Sequence, residues 1–455
     1  MNTHDIAEII SRAGREVPEH VTASARLHFL DAIGVGFAAS VVGPVTKVSG
    51  LANPAQENSG HRASVFNSAA YASSSVSALI NGTLIHSLEF DDTHGASIVH
   101  GSSVVAPTAL AVAEDVRASG TDLLAAFTMG WELMIRMGMA SQGSIQANGF
   151  QTTSTVGPFG AAVVTALLHG SDSTLLANAL GIAGSTPAGN FAFLDHGDTT
   201  KAMQPGWAAH SGIMSFELAS LGITGPTGVF DGTRGFFAIY GDDHEAAQRF
   251  EDYAADIGTK WHLPGTAFKG IACCHYIHPF VEAAEQVVKG GLVAADIELV
   301  TCDVPVEVID IIAEPWAARQ HVRNAHEARW SLPYVTAATL LGRRSMPDLF
   351  VGVGESEIVA VAERVEYRPW VDSGFPDRYP ARITVRSVGG AVQVVEIDDV
   401  LGGSRRSMPE SAVVDKAKWC FGAGGMSEST SELLINEILN ATDPDVARIG
   451  RALRN

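Results

Sequence analysis

The sequence predicts a mostly α-helical protein with an α+β second domain. Nearly every segment of Asp5–Gly241 has the apolar periodicity of a helix, and helical patterns return after Met408. From about Lys260 the pattern changes to alternating β-branched residues, which indicate strands. We therefore expect a large helical domain formed by both chain ends, with an α+β domain inserted. The expected boundaries are residues 1–265 and 410–455 for the helical domain and 266–409 for the α+β domain.

Apolar runs and capping residues set the expected helix limits in the first part. Val21–Ala39 is an apolar helix with one acid, Asp31, inside it. Thr121 is expected to cap the helix Asp122–Met139, and Gly222 is expected to end the last helix of this part. The other expected helices are Gly157–His169, Thr174–Ala183 and Trp207–Leu221.

Two stretches of the second part have strand character. Ile297–Ile312 is rich in β-branched residues and is interrupted by Pro305. Ala381–Asp398 reads as a β-hairpin with Gly389–Gly390 at its turn. Helices are expected beside them at Phe280–Lys289, Ser331–Leu341 and Glu355–Ala362.

The charge balance excludes some classes of partner. The chain has a net charge of −20, and only 18% of its residues are charged. A diffuse negative field repels phosphate backbones and anionic lipids, so we expect neither nucleic-acid nor membrane binding. An anionic substrate would need a local cluster of Lys, Arg and His against this field.

Three further features predict a cytoplasmic location. The first residues lack a basic segment followed by an apolar one, so no secretory signal is expected. No run of eighteen or more apolar residues predicts a membrane span. The four cysteines are not spaced as a disulfide framework, which is typical of a reducing compartment.

The stretch from Ile85 to Val105 stands out because it is polar and lies between two apolar helical patterns. It holds three histidines (His86, His94, His100), three acids (Glu89, Asp91, Asp92) and five hydroxyl residues (Ser87, Thr93, Ser97, Ser102, Ser103). Burying unpaired carboxylates is costly, so such a loop usually lines a site. The alternative is that Asp91, Asp92 and Ser102 only cap helices.

Three residues elsewhere could join that site. Lys201 and Lys269 lie in apolar contexts, where a lysine can serve as a base or an anion-binding group. The alternative for each is a side chain that extends to solvent. Tyr334 lies early in an otherwise apolar helix, where a buried structural tyrosine is the alternative.

The motifs for metals and nucleotide cofactors are missing. Asp91, Asp92, His94 and His100 could together offer metal ligands, but no HExxH, zinc-finger spacing or EF-hand loop is present. Neither GxGxxG nor GxxxxGK[ST] occurs, and no GxSxG elbow marks a nucleophilic serine. We therefore expect neither a metal nor an organic cofactor.

Several motifs, in order along the chain, resemble the MmgE/PrpD family. They are LHFLDAIGVGFA near the N-terminus, HSLEFDDTHGASIVHGSSVVAPTALAVAE from His86, GFQTTSTVGPFGAA from Gly149, TKAMQPGWAAHSG from Thr200, AFKGIACCHYIH from Ala267 and HEARWSLPYVTAATLLG from His326. That family includes 2-methylcitrate dehydratases, cis-aconitate decarboxylases and iminodisuccinate epimerase. The resemblance implies a helical domain with an inserted α+β lid domain, a homodimer, a site in the cleft between the domains, and no metal or organic cofactor.

The resemblance also implies roles for individual residues. His100 matches the histidine that transfers protons, and Lys201 and Lys269 match lysines that hold substrate carboxylates. Tyr334 matches a tyrosine at the reacting carbons, and Glu89 matches a position that is aspartate in the decarboxylase branch. The residues implied as catalytic are His100, Lys201, Tyr334 and Asp91. Those implied to bind substrate are Lys269, Thr93, Glu89, Asp92, His278, Gln151 and His275. By contrast, His86 and His94 are expected to be structural or peripheral.

The chain departs from the family pattern around the reacting centre. Gln151 stands where the family often has a histidine, in GFHPT, and it cannot titrate. Glycine follows His100 where HPS is common, and Gly270-Ile271-Ala272 replaces an aromatic–Pro element after Lys269. These changes concern the substrate and the reaction branch more than the fold.

Three functions remain open from the sequence. The leading hypothesis is a cofactor-free lyase of the 2-methylcitrate dehydratase type, acting on a small di- or tricarboxylate by proton abstraction next to a carboxylate. The second is a dicarboxylate epimerase or isomerase, or a cis-aconitate-type decarboxylase. The third is a family member that binds a metabolite without catalysis.

Overall fold

The chain divides into two compact units. The computed structural model describes residues 1–52, 63–193, 198–343, 346–350, 352–403 and 405–454. The first unit comprises Met1–Ser87, Asp91–Phe268 and Pro409–Asn455, and the second comprises Leu88–Phe90 and Lys269–Met408. The first is almost entirely helical and the second is α+β, so the predicted fold class is confirmed. The tripeptide Leu88–Phe90 belongs to the second unit although its neighbours on both sides belong to the first.

Helices from both chain ends build the first unit. In chain order they are α1 (Thr3–Ala13), α2 (Glu19–Val42), α3 (Ser74–His86), α4 (Ser102–Val116), α5 (Gly120–Ser141), α6 (Ser144–Ala147), α7 (Thr152–Leu168), α8 (Ser173–Ala183), α9 (Thr200–Ser220), α10 (Phe236–Gly241) and α11 (Ala246–Ala254). A small antiparallel ladder of β1 (Ala63–Ser64) and β2 (Tyr71–Ala72) precedes α3. After the second unit the chain returns with α18 (Glu410–Ala423), α19 (Glu428–Asn440) and α20 (Val446–Ala452).

Two predicted helix starts are wrong and one predicted end is confirmed. The cap of α5 is Ser119, whose hydroxyl accepts a hydrogen bond from the Asp122 amide at 3.0 Å, so the predicted cap Thr121 lies inside the helix. Helix α9 begins at Thr200, well before Trp207, because Pro205 lies within it and hides its start in the sequence. The left-handed backbone of Gly222 (φ +92°) follows the end of α9 as expected.

Small residues let α9 pack closely between α3 and α7. A Cβ added at Gly206 would lie 2.3 Å from the Leu79 carbonyl oxygen on α3. One added at Gly212 would lie 2.4 Å from the Ala161 Cβ on α7. Any side chain at these two positions would push the helices apart, and α9 carries Lys201 in its first turn.

Helix α2 is the central apolar helix of the first unit. By length and composition it is apolar enough to cross a membrane, but 72% of its most apolar window is buried by the other helices of the unit. Its one internal acid, Asp31, pairs with Lys416 of α18 at 2.7 Å, and both side chains are buried. Burial raises the pKa of Asp31 to about 6, and Lys416 opposes this shift. This ion pair ties the returning C-terminal segment to the N-terminal core.

The second unit is built on a four-stranded sheet with the order β4-β3-β5-β6. Its strands are β3 (Ile297–Pro305), β4 (Val365–Trp370), β5 (Ala381–Ser387) and β6 (Val392–Ile397). β3 runs parallel to β4 and antiparallel to β5, and β5 and β6 form the predicted antiparallel hairpin. β3 ends at Pro305, whereas the sequence predicted strand character up to Ile312. The predicted strand was therefore too long. β4 was not predicted, and its Pro369 is tolerated because β4 is an edge strand.

Helices complete the second unit. They are α12 (His278–Lys289), α13 (Ile309–Ile312), α14 (Trp316–Gln320), α15 (Ala325–Arg329), α16 (Leu332–Leu340) and α17 (Ser356–Ala362). Helices α12, α16 and α17 confirm the three expected from the sequence, with ends within two residues of the predicted ones. The short helices α13, α14 and α15 were not predicted.

The buried pair of Asp31 and Lys416 gives a stability prediction. Lys416→Met leaves a carboxylate buried without its cation, so we expect the free energy of unfolding in urea at pH 7.5 to fall by about 3 kcal/mol. The matched control is Lys418→Met, since Lys418 is exposed and pairs at 3.6 Å with an exposed Glu432. That change should cost under about 1 kcal/mol. Equal losses in the two variants would contradict a structural role for the buried pair.

Candidate active site

The polar loop between α3 and α4 is anchored by backbone hydrogen bonds within the first unit. The Thr93 amide donates to the Ala267 carbonyl at 2.9 Å, and the Ala267 amide donates back to the Thr93 carbonyl at 2.8 Å. A second bridge joins His94 and Val99, and Ile98 between them has a left-handed backbone (φ +56°). The loop is therefore a fixed element rather than a flexible connection.

Asp92 holds this loop to the core. Its Oδ2 atom accepts hydrogen bonds from His28 Nδ1 at 2.7 Å and from the Ser102 hydroxyl at 2.6 Å. The Ser102 oxygen in turn accepts one from Trp131 Nε1 at 3.0 Å. The N-cap position of α4 is Gly101, which offers no side chain, so Asp92 and Ser102 do not cap that helix. These bonds place Asp92, which was expected to bind substrate, in a supporting position.

His86 lies in a chain of buried polar side chains. Its Nδ1 is 2.8 Å from Asp91 Oδ2, and both side chains are fully buried. Its Nε2 is 3.2 Å from Gln151 Nε2, and Gln151 Oε1 accepts a hydrogen bond from the Ser154 hydroxyl at 2.7 Å. Because the Asp91 carboxylate accepts from His86 Nδ1, His86 Nε2 is the acceptor nitrogen and Gln151 Nε2 donates to it. His86 therefore carries its proton on Nδ1 and donates it to Asp91.

His100 is oriented by the backbone. Its amide donates to the Thr153 hydroxyl at 2.9 Å, and its Nδ1 is 3.0 Å from the Asp92 carbonyl oxygen. A carbonyl can only accept, so Nδ1 carries a proton and Nε2 is the atom that can gain or lose one. The rings of His86 and His100 have their centroids 5.0 Å apart. His86, which was expected to be peripheral, is thus a direct neighbour of the predicted proton-transfer residue.

The other predicted residues of the first unit have different surroundings. Lys201 is the second residue of α9 and is 3% exposed. His94 is buried and its Nδ1 is 2.9 Å from the Ser97 hydroxyl. Burial, with smaller effects of His262 and Arg136, lowers the pKa of His94 to about 3, so His94 is neutral at physiological pH. This agrees with the structural role expected for it.

A second polar cluster lies in the second unit, around Lys269. Lys269 Nζ is 3.7 Å from Glu89 Oε2 and 3.5 Å from the Glu89 carbonyl oxygen, and both residues are buried. Burial and Lys269 lower the pKa of His275 to about 3, so His275 is neutral. His278 Nε2 is 3.3 Å from the Cys273 carbonyl, which requires a proton on that nitrogen. The structure thus brings Lys269, Glu89, His275 and His278 into one unit.

Tyr334 is fully buried in α16 of the second unit. The Ser331 hydroxyl caps this helix by accepting a hydrogen bond from the Tyr334 amide at 3.0 Å. Burial raises the pKa of the Tyr334 phenol against the opposing effect of the Gly354 amide. The phenol is therefore protonated at neutral pH and can act as a proton donor.

Sequence reasoning missed Arg329, the last residue of α15. Its side chain is only 2% exposed, and its backbone carbonyl accepts a hydrogen bond from the Cys274 amide at 2.9 Å. The sequence did contain a signal, since Arg329 lies in HEARWSLPY, the motif that carries Tyr334. A single arginine in a helix is usually exposed, so the pattern alone did not mark it.

Comparison with models of known protein families identifies the family to which the chain belongs. The model of the MmgE/PrpD N-terminal domain matches residues 4–249, and that of the C-terminal domain matches residues 271–440. The chain belongs to the MmgE/PrpD family. The family resemblance inferred from the motifs is therefore confirmed.

Relatives of this MmgE/PrpD protein include cis-aconitate decarboxylases. The human cis-aconitate decarboxylase is 31% identical over 382 residues, which are 80% of this chain and 76% of the human one. The Aspergillus terreus cis-aconitate decarboxylase is 31% identical over 218 residues, 46% of this chain but only 44% of the fungal one. A cis-aconitate decarboxylase-like protein of Aspergillus oryzae is 26% identical over 352 residues, 74% of this chain and 72% of its own length.

One group of side chains in this MmgE/PrpD protein has the spacing of a metal site. Among the residues that the structure describes, the ligand atoms of His86, Asp91 and His100 lie within 4.8 Å of one another. However, both nitrogens of His86 already make hydrogen bonds, one to Asp91 and one to Gln151. A cation on His86 Nε2 would have to displace the donor amide of Gln151. The hydrogen bonds therefore fit proton transfer better than metal ligation.

This arrangement predicts weak metal binding. After dialysis against a chelator, titration with Zn²⁺ or Mn²⁺ in a calorimeter should show no saturable one-to-one binding in the micromolar range. The matched control is His86→Ala, which removes one of the three ligands. Stoichiometric binding to the unmodified protein that His86→Ala abolishes would establish a metal site and contradict the prediction.

Proposed function

We propose that this protein is a cofactor-independent lyase that decarboxylates a small unsaturated polycarboxylate. The observation that carries the proposal is the different setting of two neighbouring histidines. His100 has its Nδ1 proton directed to a carbonyl, so Nε2 is the nitrogen at which it can exchange a proton. His86 is held between Asp91 and Gln151.

Gln151 bears on the type of reaction. Nδ1 of His86 is hydrogen-bonded to Asp91 and its Nε2 to Gln151, so both ring nitrogens are engaged by protein groups. The proposal therefore assigns proton transfer to one histidine, His100. Dehydration requires a base for the C–H proton and an acid for the leaving hydroxide, whereas decarboxylation requires one proton donor. The proposal therefore ranks decarboxylation above the dehydration that the sequence favoured, and the relatives named above support that order.

Decarboxylation balances without an external electron acceptor when the substrate supplies a double bond next to the carbon that carries the departing carboxylate. The C–C bond to that carboxylate breaks and CO₂ leaves. The electron pair forms a new double bond, and the old double bond takes a proton at its far carbon. Protonated His100 would supply that proton from Nε2 and recover it from water.

Each unit holds a buried lysine that is suited to bind a carboxylate. In the first unit the buried Lys201 would bind a carboxylate close to the helix end that carries it. In the second unit Lys269 would bind a carboxylate, with the neutral His275 and His278 as polar neighbours in the same unit. Buried cations attract carboxylates more strongly than cations in water do, and they act against the overall charge of −20. Asp91 would act through His86, which it orients.

Dehydration is the second candidate, and Tyr334 is the observation that favours it. Its phenol is held protonated by burial, so it could serve as the second proton-transfer group that dehydration needs. In a dehydration the hydroxide would leave with the phenol proton while a base took the C–H proton.

Product analysis separates these reactions. Incubating the protein with cis-aconitate in D₂O should release CO₂ and place one deuteron on the carbon that loses the double bond, as seen by NMR. Incubation with citrate or 2-methylcitrate should give no alkene. Interconversion of the hydroxy acid and alkene without CO₂ would replace decarboxylation by dehydration. Deuterium exchange at a C–H of a dicarboxylate such as aspartate or its imino derivative, without net product, would indicate an epimerase. No reaction with any compound would leave the non-catalytic alternative.

Two variants test the assigned roles. His100→Ala and Lys201→Ala should each lower turnover by about 100-fold or more, the usual size for loss of a general acid or a charge-pairing group. His244→Ala serves as the control, since His244 is exposed and lies on a loop outside the site. Circular dichroism should show the same helix content in all three. Normal turnover in His100→Ala would remove His100 from the mechanism.

A further inference from the structure

We propose that His28 is a positioning residue, which donates a hydrogen bond to the Asp92 carboxylate and so fixes the backbone carbonyl that holds His100 in one tautomer. This inference rests on the proposed function, because it gives His28 an effect on the group that would transfer the proton. His28 lies on α2, far along the chain from Asp92 and His100, and the sequence assigned it no role.

Two donors from different parts of the chain anchor the Asp92 carboxylate. The Ser102 hydroxyl is 2.6 Å from Asp92 Oδ2 and lies two residues after His100, so it belongs to the same stretch of chain as His100. His28 Nδ1 is 2.7 Å from the same oxygen and comes from the middle of α2. Among the residues that the structure describes, His28 is thus the one side chain outside residues 92–102 that hydrogen-bonds to this carboxylate.

The ring of His28 also contacts the segment to which the loop is bridged. The rings of His28 and Phe268 stack with their centroids 4.0 Å apart and their planes 9° from parallel. Phe268 directly follows Ala267, and Asp92 directly precedes Thr93, and the backbones of Ala267 and Thr93 form the bridge. The bridge joins these two segments to each other, whereas His28 holds both of them to the central helix α2.

The surroundings of His28 define its own state. A carboxylate accepts hydrogen bonds, so His28 Nδ1 carries a proton. His28 Nε2 is buried and has no hydrogen-bond partner in the described part of the chain. A proton on Nε2 would therefore be a buried donor without an acceptor, which is costly. His28 is thus a neutral donor that acts through Asp92 rather than on a substrate.

Asp92 transmits this constraint to His100 through its own backbone. Its carboxylate is held by α2 and α4, while its carbonyl oxygen is 3.0 Å from His100 Nδ1. Because both groups belong to one residue, loss of the His28 bond lets Asp92 rotate and withdraws this acceptor from His100. A neutral His100 can then carry its proton on Nε2 instead, which is the nitrogen that the proposed reaction uses.

Two substitutions of His28 differ only in where they place a donor. In His28→Asn the side-chain amide nitrogen takes the place of Nδ1 and can still donate to Asp92. In His28→Gln it takes the place of Nε2, and the bond to Asp92 is lost. Both variants lack the ring, so the loss of stacking on Phe268 affects them equally. The matched control is His169→Asn, which removes a histidine that contacts the Phe216 ring (centroids 4.7 Å apart) at the C-terminal end of α7.

The tautomer of His100 is measured first, without substrate. Protein labelled with ¹⁵N-histidine is studied by NMR at a pH of about 8.5, where an unshifted imidazole is neutral, and the His100 signals are those missing from His100→Ala. The unmodified protein, His28→Asn and His169→Asn should show only the tautomer with its proton on Nδ1, whereas His28→Gln should show both tautomers. A single tautomer in His28→Gln, or both tautomers in His28→Asn, would overturn the proposal.

Turnover of cis-aconitate gives the second readout. His28→Gln should lower kcat by about 10-fold or more and change KM under about 3-fold, as expected for a residue that orients a catalytic group without binding substrate. His28→Asn and His169→Asn should keep kcat within about 3-fold of the unmodified protein, because neither loses the donor to Asp92. Equal losses of kcat in the two His28 variants would assign the effect to the missing ring and contradict the proposal.

The two readouts separate this proposal from the lyase assignment. If the unmodified protein releases no CO₂ but the His100 tautomers respond as expected, only the lyase assignment fails. If CO₂ is released but His100 keeps one tautomer in His28→Gln, only the positioning role fails. Should His28→Gln not fold, His28→Leu also lacks a donor to Asp92 and is measured in the same way. Failure of both variants to fold would make His28 a structural residue and overturn the proposal.

Discussion

The buried Asp92 links the scaffold of the first unit to its chemistry. Its carboxylate binds His28 of α2 and Ser102 of α4, which fixes the loop between α3 and α4. Its carbonyl oxygen accepts the Nδ1 proton of His100 and so decides which nitrogen of His100 can exchange protons. A shift of the loop would therefore change the orientation of His100 as well as the packing. Supporting residues of this kind hold a catalytic group in one geometry without touching the substrate.

Part of the fold and of the site could be predicted from the sequence. Long apolar helices, the hairpin of β5 and β6, and the loop containing Asp91 and His100 all have strong local signals. β4 was missed because Pro369 within it argues against a strand, and only its place at a sheet edge makes it acceptable. The start of α5 was misplaced because Ser119 and Thr121 are both suitable caps and only the folded backbone decides between them.

His86 and Arg329 show why the rest of the site could not be predicted. The importance of His86 comes from Gln151, which is 65 positions away in the chain and hydrogen-bonded to it in the fold. Arg329 has a buried Nε without a hydrogen-bond partner among the described residues, and a sequence does not record an unsatisfied donor. In both cases the residue type is ordinary, and the tertiary contacts distinguish it. Arg136 and Arg329 would be equivalent by composition, yet one is fully hydrogen-bonded and the other is not.

The placement of charge connects stability with specificity. Asp31 and Lys416 neutralise each other in the core of the first unit, and Arg136 is neutralised by Glu132 and Asp256, so these buried charges serve the fold. In the second unit the buried Lys269 lies 3.7 Å from Glu89, so a carboxylate ligand would compete with Glu89 for this cation. A protein with a net charge of −20 has acids in excess, so its overall field opposes an anionic ligand and only a local cation can attract one. Exclusion of water strengthens the attraction between a buried cation and a carboxylate, which is why the proposed carboxylate-binding lysines act better buried than exposed.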